Sequence, residues 1–324
     1  MDIYVKKAII HQFSPDDTDL YLADKFLNIT PKIEEYLRKK IERVYSDEAR
    51  TVIFEEDNPF LEMISDDLLE TSVAVANRWK EEFVVSENQK TNDLVFIQFS
   101  KEGVDHFAFL RIALRETLTH LGGEVDNPIK LTQNNLPGFG TGADEALVIN
   151  LQSRKYHLIE KRIKYNGTFL NYFSENLLQA QPKISPKKSI KALEKTAQKI
   201  AESFNTDDFQ FQSKVKSAIF NHIEEENKLS PEKLADDLFD DNLTARLSFI
   251  DQVKEAVPEP VTFEEIDASR QLKKFENQKL SLFNGIELIV PNNVYEDAES
   301  VEFILNENGT YSILIKNIED IQSK

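Results

Sequence analysis

The sequence contains no cysteine, and this absence removes several kinds of chemistry at once. Disulfide bonds, thiolate nucleophiles and cysteine-ligated zinc all need a sulfur atom that this chain of 324 residues does not have. A cysteine-free composition is typical of a reducing compartment, so we expect a cytoplasmic protein. The first residues, MDIYVKKAIIHQF, lack a basic start followed by a long apolar stretch, and no secretory signal is expected there.

Long hydrophobic runs are also missing. No segment approaches the roughly 18 consecutive apolar residues that span a bilayer, so we expect no membrane partner. The chain is 40% hydrophobic and 30% charged, and its 22 phenylalanines can supply much of a core. This composition is that of an ordinary globular protein. The length indicates about two domains, with room for a smaller third element.

Motifs for phosphate or metal chemistry are missing as well. The glycine-rich segment GFGTG (138–142) follows Asn-Asn-Leu-Pro and leads into a predicted strand, whereas a dinucleotide-binding loop follows a strand and opens a helix. We therefore expect a flexible connection. The histidines are scattered at positions 11, 106, 120, 157 and 222, with no close pair. We assign no catalytic residue, metal ligand or cofactor, although His11 ends a predicted strand, where catalytic groups can occur.

The first half of the chain mixes strand and helix patterns. Runs rich in β-branched and aromatic residues predict strands at 3–13 and 145–152 and a hairpin over 93–114. Apolar residues at helical spacing predict helices from Thr30 and Pro31 onward, over 59–83 and within 168–178. These elements predict an α+β domain with a mainly antiparallel sheet and flanking helices.

The segment QPKISP (181–186) is the strongest predicted boundary, because two prolines interrupt the pattern. Four helical patterns follow, at about 186–204, 207–227, 231–240 and 243–256, and strands are predicted within 279–291 and 301–317. We predict an α+β N-terminal domain (1–180), a helical region (181–260) and a small C-terminal β element (261–324) that packs with the helical region.

An acidic cluster lies near the end of one of these predicted helices. It contains Asp236, Asp237, Asp240 and Asp241, which form two pairs at i,i+4 spacing. Two interpretations remain open at this point. The carboxylates could hold a hard cation, although the EF-hand pattern is missing. Alternatively, Asp241 or Asn242 caps the next helix, which explains part of the cluster.

Positive charge is concentrated in one region of a chain whose formal net charge is −18. Residues 150–200 hold eleven Lys or Arg against three Glu, a local excess of +8. A local patch of this kind can act on a polyanion despite the overall charge, because salt screens distant charges within about 8–10 Å. The candidate DNA-binding residues are Arg154, Lys155, Lys161, Arg162, Lys164, Lys187, Lys188, Lys191, Lys195 and Lys199.

The lysines of the segment SPKKSIKALEKTAQKI (185–200) occupy one face of the predicted helix, at positions 188, 191, 195 and 199. The opposite face carries Ile190, Leu193, Ala197, Ile200 and Phe204. Two interpretations remain open: the ordinary solvated face of an amphipathic helix, or a contact for a polyanion. If residues 157–165 form one strand, Lys161 and Arg162 would point to opposite sides of it.

Six segments together resemble a known family. They are AIIHQF (8–13), ERVYSDEAR (42–50), the hairpin DLVFIQF to HFAFLRIAL, ADEALVINLQSRK (143–155), LSLFNGIELIVPNNVYED (280–297) and VEFILNENGTYSILIKNI (301–318). With them, nearly the whole chain resembles the 37-kDa nucleoid-associated bacterial protein family. The resemblance implies a cytoplasmic protein associated with the nucleoid and with DNA. It transfers no catalytic motif to any residue.

Three hypotheses for function follow. The first is a nucleoid-associated protein that contacts the DNA backbone through residues 150–200 without reading sequence. The second is an acidic scaffold that a protein partner recruits to the nucleoid. The third is an enzyme acting on nucleic acid or nucleotides. A homodimer is a further candidate assembly.

Overall fold

The chain divides into two compact units, Met1–Ser185 and Pro186–Lys324. The computed structural model describes residues 2–318 apart from residues 17, 88, 121–128, 182, 205–208, 264 and 284. For residues 209, 265–267 and 270 it describes the backbone alone. The predicted division of the C-terminal region near residue 260 stays a prediction.

The N-terminal unit is built on a sheet with helices beside it. Its strands are β1 (Ile3–Ser14), β2 (Asp19–Tyr21), β3 (Arg50–Ile53), β4 (Asn92–Lys101), β5 (Val104–Ala113), β6 (Arg115–His120), β7 (Ile129–Asn135), β8 (Glu145–Asn150), β9 (Lys155–Ile159), β10 (Ile163–Tyr165) and β11 (Thr168–Leu170). Its helices are α1 (Pro31–Val44) and α2 (Leu68–Phe83), a 3₁₀-helix (Pro59–Met63) and a π-helix (Phe173–Leu177).

Seven strands form one sheet in the order β2-β1-β4-β5-β8-β9-β3, and every neighbouring pair is antiparallel. Side chains alternate across this sheet, and both faces are covered. In β4, Leu94 and Phe96 join the core that includes α2, whereas Val95 and Ile97 join the core that includes α1. The central strands are therefore apolar on both sides, which is why β4 is an almost continuous hydrophobic run.

The predicted β4–β5 hairpin is confirmed. Its two-residue turn consists of Glu102 and Gly103, with φ of 52° and 83°. Positive φ at both positions matches the right-handed twist of the flanking strands, and glycine adopts it without a steric penalty. Lys101 therefore pairs directly with Val104.

The single helix predicted over 59–83 is wrong. A short 3₁₀-helix ends at Met63, and α2 starts afresh at Leu68 because the Asp67 carboxylate accepts a hydrogen bond from the Leu69 amide. This side-chain cap supplies a new N-terminus inside the apolar pattern. Within 168–178 the structure likewise has strand β11 followed by the π-helix, rather than one α-helix.

A continuous strand over 157–165 is also absent. β9 ends at Ile159 and β10 begins at Ile163. Between them, the Glu160 carboxylate pairs with Arg50 and accepts hydrogen bonds from the amide and hydroxyl groups of Ser174. The Lys161 amide donates to the buried Glu145 carboxylate, 3.2 Å away. These side-chain contacts replace the strand ladder at this point.

The C-terminal unit begins with packed helices and ends in small strand pairs. Its helices are α3 (Pro186–Ser203), α4 (Phe209–Glu226), α5 (Pro231–Leu238), α6 (Leu243–Lys254), α7 (Glu265–Phe275) and α8 (Asn292–Tyr295). Its strands are β12 (Lys228–Leu229), β13 (Val261–Thr262), β14 (Asn277–Ser281), β15 (Glu287–Pro291), β16 (Val301–Leu305) and β17 (Tyr311–Ile315). Together with the antiparallel sheet of the first unit, these elements confirm the predicted α+β class.

A buried polar network joins the β14–β15 hairpin to helix α4. The Gln278 amide nitrogen donates to the Asn292 side-chain oxygen at 2.7 Å and to the Ser213 carbonyl at 3.2 Å. The Ser217 hydroxyl donates to the same Asn292 oxygen at 2.9 Å. These hydrogen bonds attach β14 and the Asn292 side chain to helix α4 of the same unit.

Candidate nucleic-acid interface

Helix α3 presents its two faces as the sequence predicts. Ile190, Leu193, Ala197 and Ile200 are buried in the core of the C-terminal unit. Burial of this apolar stripe docks the helix and determines which side faces solvent. The exposed side carries Lys188, Lys191, Lys195 and Lys199. Lys199 lies eleven positions after Lys188, or about 16 Å along the helix axis at a rise of roughly 1.5 Å per residue.

The lysines of α3 differ in the hydrogen bonds and charge interactions that they make with other side chains. Lys188 and Lys195 make no hydrogen bond or ion pair to any residue that the structure describes. Lys199 donates to the Gln252 side chain on α6 at 2.9 Å, which leaves its charge uncompensated. The Lys191 ammonium interacts electrostatically with the Glu194 carboxylate. Burial raises the pKa of Glu194, with Lys216 and Lys191 opposing it.

The upstream candidates lie in the N-terminal unit, and three of them are already paired with carboxylates. Arg154 binds Glu56 at 2.8 Å, and Lys164 binds Glu87 at 3.1 Å. The hydrogen bond from Arg154 lowers the pKa of Glu56. Bonds from the Gly167 amide and from Lys164 lower the pKa of Glu87.

Lys161 is the third paired cation, 2.6 Å from the carboxylate of Asp144. Burial raises the pKa of Asp144, but the hydrogen bonds from Lys161 and the Ala113 amide outweigh burial and hold this pKa below its usual value. Arg162 is exposed, and Lys155 and Lys187 are half-buried. The basic segment of the sequence is therefore divided between two units, with five candidates in each.

A buried polar network lies below the strands that carry these cations. The Arg111 guanidinium donates to Glu145 at 2.5 Å and to the Asn92 side chain at 2.9 Å. Tyr172 donates to the same carboxylate and accepts a 2.9 Å bond from the Trp79 indole. All of these groups are buried, so the network stabilises the interior of the unit.

The GFGTG loop is held by a buried lysine of helix α1. Lys40 is 0% exposed, and its ammonium donates to the carbonyls of Pro137, Gly138 and Thr141. Burial lowers the pKa of Lys40 to about 8, helped by Arg43 and Arg115. The loop therefore directs carbonyl oxygens at a cation, whereas a phosphate loop directs N–H groups at an anion.

His11 is a buried structural histidine. Its Nδ1 accepts a hydrogen bond from the Ala23 amide at 3.0 Å, so the proton lies on Nε2, which donates to the Ser72 hydroxyl at 2.9 Å. Burial lowers the pKa of His11. Both ring nitrogens are engaged within the fold, and β1 continues beyond His11 to Ser14, so His11 does not end the strand.

Three carboxylates of the acidic cluster in the C-terminal unit have side-chain partners. Asp236 pairs with Arg246 at 2.8 Å and Asp240 with Lys214 at 3.2 Å, and Asp237 lies in hydrogen-bond contact with His222 at 2.6 Å. Asn242 caps α6 by accepting from the Ala245 amide at 3.0 Å. Within the described residues, no group of three or more His, Asp or Glu side chains is arranged to hold a metal ion.

Sequence reasoning missed Lys40 together with Arg43 and Arg115. Lys40 and Arg43 lie one turn apart on α1 and Arg115 is distant in the sequence. All three are outside the basic segment, and only the fold brings them near the 137–142 loop. The one available signal was the run Arg38-Lys39-Lys40 on helix α1, in which Lys40 falls on the buried face defined by Leu37, Ile41 and Val44.

The family model for nucleoid-associated protein YejK matches residues 9–321, which is nearly the whole chain. The chain therefore belongs to the family of nucleoid-associated protein YejK, as the resemblance implied. No curated protein matches it. In the part of the chain that the structure describes, none of the helices has the length and apolar character needed to cross a bilayer.

Proposed function

We propose that this protein binds the nucleic-acid backbone in the bacterial cytoplasm, without reading sequence, through the exposed lysines of helix α3. Nucleoid association is the property of the family. The observation that carries the proposal is the row formed by Lys188, Lys191, Lys195 and Lys199 on the solvent side of a helix whose other side is buried. Lysine ammonium groups bind phosphates as point charges, independently of base sequence.

The five upstream candidates have a smaller role in this proposal. An exposed ion pair contributes only about 0–1 kcal/mol, so Arg154 or Lys164 could exchange its carboxylate for a phosphate at low cost. The exchange would still leave the carboxylate nearby, which opposes the approach of an anion. The lysines of α3 therefore supply the first contacts, and Arg154, Lys155, Lys161, Arg162 and Lys164 supply additional ones.

Fluorescence anisotropy of a labelled random duplex tests the proposal. The test variant carries Lys188, Lys191 and Lys195→Glu, and the matched control carries Lys228, Lys273 and Lys279→Glu, three exposed lysines elsewhere in the same unit. Each substitution shifts the charge by −2, so both variants repel DNA equally at long range. We expect the control to bind like the wild type within a fewfold, and the test variant to lose at least tenfold in affinity. Equal affinities of the two variants would contradict the proposal.

A second candidate function is the acidic scaffold, and the β16–β17 hairpin favours it. Leu305 lies opposite Tyr311 in this pair, and Val301 lies opposite Ile315. Three of these four side chains are exposed, which is unusual for so apolar a face.

A pull-down from DNase-treated lysate separates the two functions. A protein partner that remains after DNase treatment supports the scaffold, and complete loss supports DNA contact.

The enzyme hypothesis and the homodimer stay predictions. Turnover of labelled DNA or nucleotides with magnesium or manganese tests the enzyme hypothesis. Light scattering at several protein concentrations tests self-association.

A further inference from the structure

Three arginines of the N-terminal unit contact no carboxylate among the described residues, and all three are exposed: Arg43, Arg115 and Arg162. The other five arginines of this unit each contact a carboxylate: Arg38, Arg50, Arg78, Arg111 and Arg154. Arg162 lies between β9 and β10. Arg115, by contrast, pairs with Asn135 just before the 137–142 loop, and Arg43 lies against Gly142 at the end of this loop.

Arg43 and Arg115 also converge on the same group. Both guanidinium charges act on the Lys40 ammonium, which the carbonyls of Gly138 and Thr141 hold in place. The Arg43 side chain lies against Gly142, with its Cδ 3.7 Å from the position that a Cβ would occupy there. The fold therefore assembles three like charges around one loop.

The carboxylate that acts on Lys40 does not neutralise this group. Asp144 acts on Lys40 with the opposite sign, but its oxygens are engaged by Lys161 and by the Ala113 amide. Like charges repel one another near a protein surface. A phosphate bound by Arg43 or Arg115 would reduce that repulsion and accept hydrogen bonds from the guanidinium group.

Arg115 is also the first residue of the β6–β7 ribbon. Every described residue of β6 is exposed, and β7 is exposed over most of its length. The face formed by Thr117, Thr119, Lys130 and Thr132 carries three hydroxyl groups and one cation. A two-stranded ribbon fits the width of the DNA major groove. An isolated ribbon of this kind is only marginally stable in water.

We propose that Arg43 and Arg115 form a phosphate-binding subsite for the nucleic-acid backbone at the base of the β6–β7 ribbon. The subsite lies on the N-terminal unit and is a second contact in addition to helix α3. This inference rests on the proposed function. Its chemistry is a charge-assisted interaction between guanidinium groups and phosphodiester oxygens, and the ribbon lies along the same duplex.

The first test measures duplex binding by Arg43, Arg115→Gln against a matched control, Lys6, Arg78→Gln, which removes two exposed cations that already have carboxylate partners. Circular dichroism confirms that each variant is folded. We expect the slope of log K against log[salt] to become about 1.8 less negative in the Arg43, Arg115 variant, since each lost phosphate contact accounts for about 0.9. The control should keep the wild-type slope.

The outcomes separate this inference from the function on which it rests. If the α3 variant loses affinity while the Arg43, Arg115 variant behaves like its control, the subsite is wrong and the proposed function stands. If the wild-type protein binds no duplex at low salt, both are wrong. If the Arg43, Arg115 variant loses affinity and slope while the α3 variant does not, the subsite is supported and the α3 contact fails.

A second measurement uses the wild-type protein, so its result does not depend on whether a variant folds. Phosphates bound by Arg43 and Arg115 would offset the effect of these arginines on Lys40, so duplex should raise the pKa of the Lys40 ammonium in the wild-type protein, as followed by NMR of isotope-labelled lysine. An unchanged titration with saturating duplex would overturn the subsite. Inorganic phosphate is the comparison probe. A rise with phosphate but none with duplex would mean that the subsite takes a free anion, which contradicts the assignment to nucleic acid.

Discussion

The Lys40 ammonium lies 2.5 Å from the Thr141 carbonyl oxygen and 2.9 Å from that of Gly138. A lysine side chain thus occupies the centre of a glycine-rich loop, a place where a bound cation would be coordinated in the same manner. The Tyr36 hydroxyl donates to the Pro137 carbonyl at 3.0 Å, and the Tyr36 ring lies under the Lys40 ammonium. The loop is therefore fixed to helix α1 through its carbonyl groups.

The Lys40 titration gives the first prediction. Its folded pKa of about 8 lies below the ordinary value of 10.5, so between these pH values the unfolded chain binds more protons than the folded protein. Stability therefore rises with pH in this window. Relative to Lys40→Met, the wild type should gain roughly 1 kcal/mol per pH unit above pH 8. Urea titrations at several pH values measure this, with Lys39→Met as the matched control. A difference that stays constant with pH would refute the effect.

The buried ion pair formed by Arg111 and Glu145 gives the second prediction. Glu145→Gln removes the counter-charge of Arg111 while keeping the shape of the side chain. Breaking one side of a buried ion pair costs about 3–5 kcal/mol. At roughly 2–4 °C per kcal/mol for a domain of this size, the melting temperature of the N-terminal unit should fall by about 6–20 °C.

The double variant Arg111→Met, Glu145→Gln is the control for this pair. It leaves no unpaired buried charge, so it should lose less stability than the sum of the two single variants. Additive losses in calorimetry would show that the two residues stabilise the unit independently.

His11 gives a prediction at acid pH. Because Nδ1 accepts a hydrogen bond from the Ala23 amide, protonation of the ring would break that bond. The folded pKa lies below 6.5, so below pH 6.5 the unfolded chain takes up a proton that the folded protein does not. The free energy of unfolding therefore decreases as the pH falls below 6.5. NMR titration of the His11 ring should give a midpoint below 6.5, and a midpoint above 6.5 would contradict the assigned tautomer.

Helix α3 offers a comparison of its two faces. Leu193 is 0% exposed, so Leu193→Ala should destabilise the C-terminal unit by about 2–5 kcal/mol through lost burial and the cavity that remains. Lys195→Ala, on the opposite face two residues later, should change stability by no more than about 0.5 kcal/mol. Denaturant titration measures both. A large cost at Lys195 would mean that this face is packed rather than exposed.

Periodicity predicted the parts of the fold in which local pattern and tertiary burial agree. Helix α3 and the β4–β5 hairpin are examples, because the alternation or the helical spacing of apolar residues is itself the burial pattern. The break before α2 was not predicted, because the hydrophobic pattern continues through it and only the Asp67 cap interrupts the helix. The end of β9 was missed for a similar reason, since Glu160 finds its partner Arg50 far away in the sequence.

The candidate site was predictable only in part. The lysine face of α3 lies within one helix, so spacing alone places it. The carboxylates that pair with Arg154, Lys161 and Lys164 come from other parts of the chain, so these pairs form only in the folded unit. The same holds for the effect of Arg115 on Lys40. Charge counted along the sequence therefore overstated the basic character of residues 154–164.

The salt dependence of duplex binding tests the central claim most directly, because it counts the phosphates that the protein neutralises. If four to six side chains engage, the wild-type slope of log K against log[salt] should be about −4 to −5. The Lys188, Lys191, Lys195→Glu variant should bind with a slope less negative by about 2.7, or lose measurable binding altogether. The Lys228, Lys273, Lys279→Glu control should keep the wild-type slope. A wild-type slope near zero at measurable affinity, or an unchanged slope in the α3 variant, would contradict the account.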